Sequence, residues 1–259
     1  LTELPPKRWT PLLVEGDARV LTEYRTAERD IVTFLADRAR QAALDAGATT
    51  DEAARAAWEQ ALRASAAEHL VAVTSLKRLA ARAKLSALRS WLTDFLDTGS
   101  KIVLFAHHRD IVDSLAAEFA DGCRITGDVT GDDRQVAVDR FQSDDDQRVI
   151  VCSIKAAGVG LTLTAASDVL FVEQGWTPAE MDQAADRCHR IGQTDSVTAW
   201  TAICADTIDE DIADLIAAKR VVVDAATDGI LDDEVDAGGS VVGDLLVRLA
   251  IQGLHAIAE

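Results

Sequence analysis

Arg187 and Arg190 stand three residues apart in Gln183-Ala-Ala-Asp-Arg-Cys-His-Arg-Ile-Gly-Gln193. On a helix that interval places two guanidinium groups on one face, where their planar forks can converge on one anion such as a phosphate. Gln183 lies one turn before Arg187 on the same side. Residue types alone leave a surface salt-bridge cluster open for the same pair. Upstream, Ser153-Ile-Lys-Ala-Ala-Gly-Val-Gly-Leu-Thr-Leu-Thr-Ala-Ala166 follows an apolar run, and its Gly158 and Gly160 permit close backbone approach to a phosphate. A tight turn would use the same glycines, and the dinucleotide pattern G-x-G-x-x-G is not met. Between these segments, Glu173-Gln-Gly-Trp-Thr-Pro178 presents Trp176, which either stacks on a nucleotide or caps a sheet.

The chain that must position these groups has 259 residues, 48 % of them apolar and 27 % charged, which excludes wholesale disorder and fibrous repeats. Its net charge of −18 disfavours non-specific adhesion to nucleic acid or anionic membranes, so any DNA contact must be local. Asp outnumbers Glu 31 to 13 and Arg outnumbers Lys 20 to 6, a bias that fits a GC-rich coding sequence or a salt-adapted surface. Cys123, Cys152, Cys188 and Cys204 form no C-x-x-C pair, so neither a zinc site nor a disulfide framework is expected, and a reducing cytoplasm is the default. No apolar window is long enough to span a membrane, and the start at Leu1 suggests a fragment without a signal segment.

From Lys101 onward, short apolar runs alternate with amphipathic stretches. Ile102–Ala106, Cys123–Thr126, Val149–Ser153, Val169–Val172 and Val197–Ile203 read as buried strands. Asp110–Ala120, Asp132–Gln142 and Pro178–Arg190 read as the helices between them. The alternation predicts an α/β fold, a parallel sheet sandwiched by helices. Before it, Asp17–Gly47 and Thr50–Gly99 are Ala-rich helices, preceded by a proline-stiffened segment at Leu4–Pro11 that is an entering linker or an edge strand. After it, Asp206–Thr227 is a helix with an acidic first turn, residues 228–240 an acidic linker, and Val241–Ile257 a short docked helix. Lys77–Arg89 holds five basic residues and no acid; Arg78, Arg82 and Arg89 recur near helical spacing, as either a phosphate-tracking stripe or a face paired with neighbouring acids.

Taken together, the segment from Gln183 to Gln193 closely resembles motif VI of the Swi/Snf-type DNA-dependent ATPases, within the superfamily-two helicases. Ser153–Ala166 looks like motif V of that family, with Ala157-Gly158 where two glycines are usual and Thr162 where Asn is usual. Glu173–Pro178 is similar to its acidic-x-x-Trp-Asn/Thr-Pro step, and Lys101–His108 resembles motif IV. Ile125–Arg134, Phe141-Gln142 and the Thr207–Lys219 helix match further blocks, so the resemblance is dense from Leu76 to Lys219 and thin at both ends. The linker leans toward an annealing-helicase-like branch, and a prokaryotic member of the family is expected.

The resemblance implies a RecA-like second helicase lobe over residues 100–205. It further implies an extended linker from a first lobe over 1–16, a helical protrusion over 17–99, a brace helix over 206–227, and an acidic linker with a C-terminal helix over 228–259. Arg187 and Arg190 would be the catalytic arginines, Arg190 as the finger. Gln183, Gly158, Gly160, Asp186 and Gln193 would serve the nucleotide. Trp176, Lys155, Thr162, His107, Arg78 and Arg82 would meet double-stranded DNA. No phosphate loop G-x-x-x-x-G-K-[ST] occurs, so ATP with Mg²⁺ is expected mainly on a separate N-terminal RecA-like lobe, and this chain alone is expected to be inactive. The setting implied is a nucleoid-associated cytoplasm with no membrane partner. Two other readings compete: a non-catalytic nucleic-acid-binding or regulatory lobe, and a transferase cradling a cofactor at Gly158–Leu161. The transferase would want an acidic ribose ligand further away than Asp168.

Overall fold

The apolar runs and the proline-bounded segment become strands of one six-stranded sheet. The structure, a computed structural model, describes residues 4–158, 160–227 and 240–258. Its strands are β1 (Lys7–Val14), β2 (Ile102–Ala106), β3 (Arg124–Ile125), β4 (Val149–Ser153), β5 (Asp168–Phe171) and β6 (Val197–Cys204). Its helices are α1 (Ala18–Asp45), α2 (Asp51–Ala64), α3 (Ala66–Leu96), α4 (Arg109–Phe119), α5 (Gly131–Ser143), α6 (Pro178–Ala185), α7 (Ile208–Thr227) and α8 (Val241–Ala258).

The strand order is β1-β6-β5-β2-β4-β3, and every pairing is parallel. All five residues of the inner strand β2 are buried, as a strand covered on both faces requires. Ala106 pairs with Ser153, and Phe105 pairs with Cys152 and Phe171, so β2, β4 and β5 end together at one edge of the sheet. That shared edge positions the candidate site. Thr130 and Thr177 cap α5 and α6 by accepting from Asp133 N and Glu180 N, each at 3.2 Å, and Pro178 opens α6.

The extended linker expected over residues 1–16 is corrected in part: Lys7–Val14 is an edge strand, with Lys7 opposite Val197 and Val14 opposite Cys204. An edge tolerates Pro11, which lacks an N–H for a second neighbour. Trp9 stacks on Phe171 at 5.5 Å between ring centroids, which ties β1 to β5 across β6.

The chain divides into two compact units, Leu1–Asp17 with Ala81–Ala205, and Ala18–Ala80 with Asp206–Glu259. This differs from the expected protrusion over 17–99. The boundary falls inside α3, because nothing in that helix interrupts it at residue 80, and its C-terminal half belongs with the sheet. There Lys84 Nζ, fully buried, donates to the β6 carbonyl of Ala202 at 2.9 Å, and Trp91 meets Trp200 edge-on at 5.6 Å. The expected Thr50–Gly99 helix is two helices, interrupted at Ser65, whose hydroxyl turns back onto the Leu62 carbonyl.

In the helical unit α1 packs on α2 and α8, and α8 packs on α2 and α7. The brace helix and the C-terminal helix are therefore parts of one bundle with α1. Buried Tyr24 is the pin: its hydroxyl donates to Glu28 and accepts from the first amide of α7, Ile208 N, both at 2.8 Å. Burial raises the Glu28 carboxyl above the usual carboxylate range, more than the Tyr24 hydrogen bond lowers it. The acidic linker expected over 228–240 lies outside the described residues apart from Ser240, whose hydroxyl accepts from Gly243 N at 2.9 Å at the start of α8. Among the described residues, no helix is long and apolar enough to cross a membrane.

Candidate functional site

Ligands of open parallel sheets bind beyond the carboxyl ends of the strands, and this chain sends its polar loops there. His107 and His108 follow β2, Lys155 sits in the 3-10 turn Ile154–Gly158 after β4, and Glu173 to Trp176 follow β5. Lys155, Gly160 and Thr162 are exposed, and His107 and Trp176 are half-buried. Gly158 closes the 3-10 turn. The sheet therefore brings His107, Lys155 and Trp176 out at its shared edge.

The helix expected over Pro178–Arg190 stops at Ala185, and this corrects the idea that the two arginines share a helix face. Arg187 N and Cys188 N donate back to Ala184 and Ala185 carbonyls in tight turns, and the chain leaves through Gly192 at φ +104°. The Arg187 carbonyl accepts from Leu163 N at 2.8 Å, which draws the arginine turn onto the glycine-containing loop. Only 5 % of Arg187 is exposed, and its Nε has no hydrogen-bond partner among the described residues. Burial, and next the neighbouring charge of Arg190, lower the Arg187 pKa from the ordinary guanidinium value. A buried guanidinium nitrogen without a partner carries a desolvation cost that an anion bonded to it would offset.

Arg190 is half-buried; its Nε donates to the Asp186 carbonyl at 3.1 Å, and its Nη1 lies 3.5 Å from Thr162 Oγ1. It faces an open hollow of about 500 Å³ lined by Leu4, Thr162, Asp186, His189, Arg190 and Ile191. Leu4 and His189 escaped the sequence reading. His189 Nε2 lies 2.6 Å from the Pro5 carbonyl, and that tie brings the segment before β1 to this hollow.

Two residues expected at the nucleotide also make contacts within the chain. Asp186 accepts from Lys7 Nζ at 2.6 Å, so its carboxylate anchors the start of β1. Gln193 is buried, and its Nε2 faces the carbonyls of Ala166 at 2.8 Å and of Thr164 and Cys188 at 3.3 Å. Its Oε1 accepts from Thr194 N and Asp195 N, each at 3.0 Å. Both ends of the amide are engaged, and Gln193 is a staple between the two loops. Gln193→Ala is expected to lower stability by about 1–3 kcal/mol, because buried backbone groups lose their partner; urea unfolding measures it, and an unchanged midpoint would remove the staple role.

Gln183 is exposed on α6, free of the loop contacts that engage Gln193. Arg78 and Arg82 are exposed on α3. The basic stretch is not one stripe: Lys77 and Lys84 are buried, and Arg89 pairs with Glu118 at 2.7 Å and donates to Ser114 at 2.8 Å. That part of it follows the paired-face reading. The four cysteines are free and buried. Among the described residues no cluster of three or more His, Cys, Asp or Glu side chains could hold a metal ion.

Comparison with known proteins gives a consistent picture. Residues 83–192 match the family described as the Helicase conserved C-terminal domain. The human protein named DNA annealing helicase and endonuclease ZRANB3 is 35 % identical over 181 residues, which is 66 % of this chain and 17 % of that protein. A Caenorhabditis elegans homologue of the SWI/SNF-related matrix-associated actin-dependent regulator of chromatin subfamily A-like protein 1 is 41 % identical over 127 residues, 48 % of this chain and 18 % of its own length. The chain thus spans under one fifth of these relatives. The crystal structure of the C-terminal part of the Fun30 ATPase domain superposes with a TM-score of 0.64 at 22 % identity, covering 98 % of this chain and 99 % of that one. The Sulfolobus solfataricus SWI2/SNF2 ATPase core in complex with double-stranded DNA gives 0.59 at 23 % identity, covering 87 % of this chain and 47 % of the other. The shared fold is the helix-flanked parallel sheet described above.

Proposed function

We propose that this chain is the second motor lobe of a DNA-dependent ATPase that moves along or remodels duplex DNA, a reading supported by the match of residues 83–192 to the Helicase conserved C-terminal domain and by the similarity to SWI/SNF-related proteins. The observation that carries the proposal is the buried Arg187, whose Nε has no hydrogen-bond partner among the described residues, three positions before Arg190, which lines an open hollow. Two guanidinium groups held in this way fit the phosphates of a nucleotide presented by a second surface.

In this reading ATP rests mainly on an N-terminal RecA-like lobe, in the same protein or a separate chain. Mg²⁺ bound there would neutralise phosphate charge. Lobe closure brings Arg190 against the phosphoryl group being transferred, where its charge offsets the negative charge that grows in the transition state. Arg187 adds a second, pre-desolvated cation that needs no reorganisation. Gln183, Gly158 and Gly160 border the nucleotide from this side. His107, Lys155, Thr162 and Trp176 face the DNA; stacking on Trp176 would add about 1–3 kcal/mol per base. With a charge of −18 the chain gains little from a general field, so Arg78 and Arg82 act as local phosphate contacts and much DNA affinity comes from the partner lobe. The named annealing helicase among the relatives supports an annealing or fork-remodelling activity for the whole protein.

The test is ATP hydrolysis by this chain alone, with and without duplex DNA. Background turnover in both conditions is expected, because the sequence offers no phosphate loop. Robust DNA-stimulated turnover would place a complete ATP site within these 259 residues and overturn the assignment.

A further inference from the structure

Glu173 lies two residues past β5 and is only 1 % exposed. Its Oε2 accepts from the backbone amides of His107 and His108, both at 2.8 Å, and its Oε1 lies 2.5 Å from His108 Nδ1. A buried carboxylate is tolerated only when its oxygens are satisfied, and here three donors come from one turn, the link between β2 and α4. A carboxylate only accepts, so Nδ1 carries the hydrogen. His108 is also the N-cap residue of α4, yet its side chain makes no capping bond to that helix. The imidazole serves Glu173 instead.

The far end of the same connection is fixed as well. Trp176 N donates to Glu180 Oε2 at 2.7 Å, and Glu180 N donates to Thr177 Oγ1 at 3.2 Å at the start of α6. Gly175 runs so close to α6 that a Cβ there would come within 2.9 Å of Glu180 Oε2. Trp176 therefore sits on a short bridge, pinned to the β2–α4 turn at one end and to α6 at the other.

We propose that Glu173 is a positioning residue that locks the His107–His108 turn to the turn bearing Trp176, so that the two loops expected to face DNA hold one fixed spacing. The DNA part of this rests on the proposed function; the mechanical lock does not. Glu173 touches neither nucleotide nor DNA in this scheme and acts through the two turns.

The test uses the two-lobe protein with Glu173→Ala, Glu173→Gln and His108→Ala, read by hydrogen exchange and by duplex-stimulated ATP turnover. Glu173→Ala is expected to speed exchange about tenfold or more both at residues 107–110 and at 174–177, because two partly buried amides lose their acceptor and the bridge loses its anchor. It should also raise the duplex concentration for half-maximal stimulation about tenfold, with the KM for ATP moving less than about threefold. Glu173→Gln keeps an acceptor for both amides and can donate to the other His108 tautomer, so it should stay within about threefold of the parent. His108→Ala removes one arm only, and it is expected to speed exchange at 174–177, some 65 positions away. It decides the matter should Glu173→Ala fail to fold. Faster exchange confined to 107–110, or Glu173→Gln as damaging as Glu173→Ala, would overturn the lock. A parent protein that duplex DNA does not stimulate would sink the proposed function, while the exchange data would still decide the lock.

Discussion

Arg190→Ala in the two-lobe protein is expected to lower DNA-stimulated ATP turnover by about 10³-fold or more, the scale on which arginine fingers act. The same change should shift the melting temperature by no more than about 2 °C, since Arg190 is half-buried and makes one backbone bond and one long contact to Thr162. Arg187 makes a sharper case. Arg187→Met is close in volume, removes a buried guanidinium whose Nε has no partner among the described residues, and is expected to leave stability unchanged or raise it while turnover falls by at least about 10²-fold. Stability gained where activity is lost marks a group kept for function. Steady-state turnover at saturating duplex DNA, with thermal melting of the same samples, separates the outcomes. Normal turnover in Arg190→Ala would end the finger assignment, and a large loss of melting temperature in Arg187→Met would make Arg187 a structural cation.

The two arginines were legible in the sequence because their chemistry depends on type and interval alone. Their setting was not. A helix was expected through Arg190, since the periodicity of Pro178–Arg190 carries no breaker before Gly192. The helix ends at Ala185 in tight turns, and the Arg187 carbonyl beyond it accepts from Leu163 N, a bond between residues 24 positions apart that no local pattern encodes. Gln193 and Asp186 make contacts of the same long-range kind. A polar side chain beside an arginine pair reads as a ligand, and only the fold reveals that Gln193 closes on its own loops and Asp186 on Lys7. Glu173 was in view within its motif, yet its donors stand 65 and 66 positions away.

The sheet was the more readable part. β2 and β4 carry the expected bounds, and β3, β5 and β6 shift by a residue or two, because buried strands in a parallel sheet are continuous apolar runs that end where polar loops begin. The helical ends of the chain were read as elements and not as an assembly. An Ala-rich helix announces itself by composition, whereas the packing of α1 on α8 and the bond of the Tyr24 hydroxyl to Ile208 N at the start of α7 join segments far apart in sequence. The apolar stripe expected on Val241–Ile257 does face inward at Leu245, Leu246 and Leu249, but the residue that sets how near α8 approaches α1 has no side chain at all.

That residue is Gly253. A glycine inside a helix ordinarily costs about 0.5–1 kcal/mol against alanine, so Gly→Ala at an open site stabilises. Here a Cβ would stand 2.6 Å from the Val32 carbonyl oxygen and 2.9 Å from Ala36 Cβ and Val32 Cγ1. A backbone oxygen cannot rotate aside, so α8 must move off α1 and separate the buried surface that Leu35 and Ala36 share with it. Overpacking of this kind costs about 1–3 kcal/mol, which exceeds the gain in helix propensity and reverses the expected sign. Gly253→Ala should therefore unfold at lower urea than the parent, and Gly253→Val should lose more, with amide exchange accelerated first in α1 and α8. If Gly253→Ala were more stable than the parent, the two helices would have to cross at a wider spacing than the structure gives them.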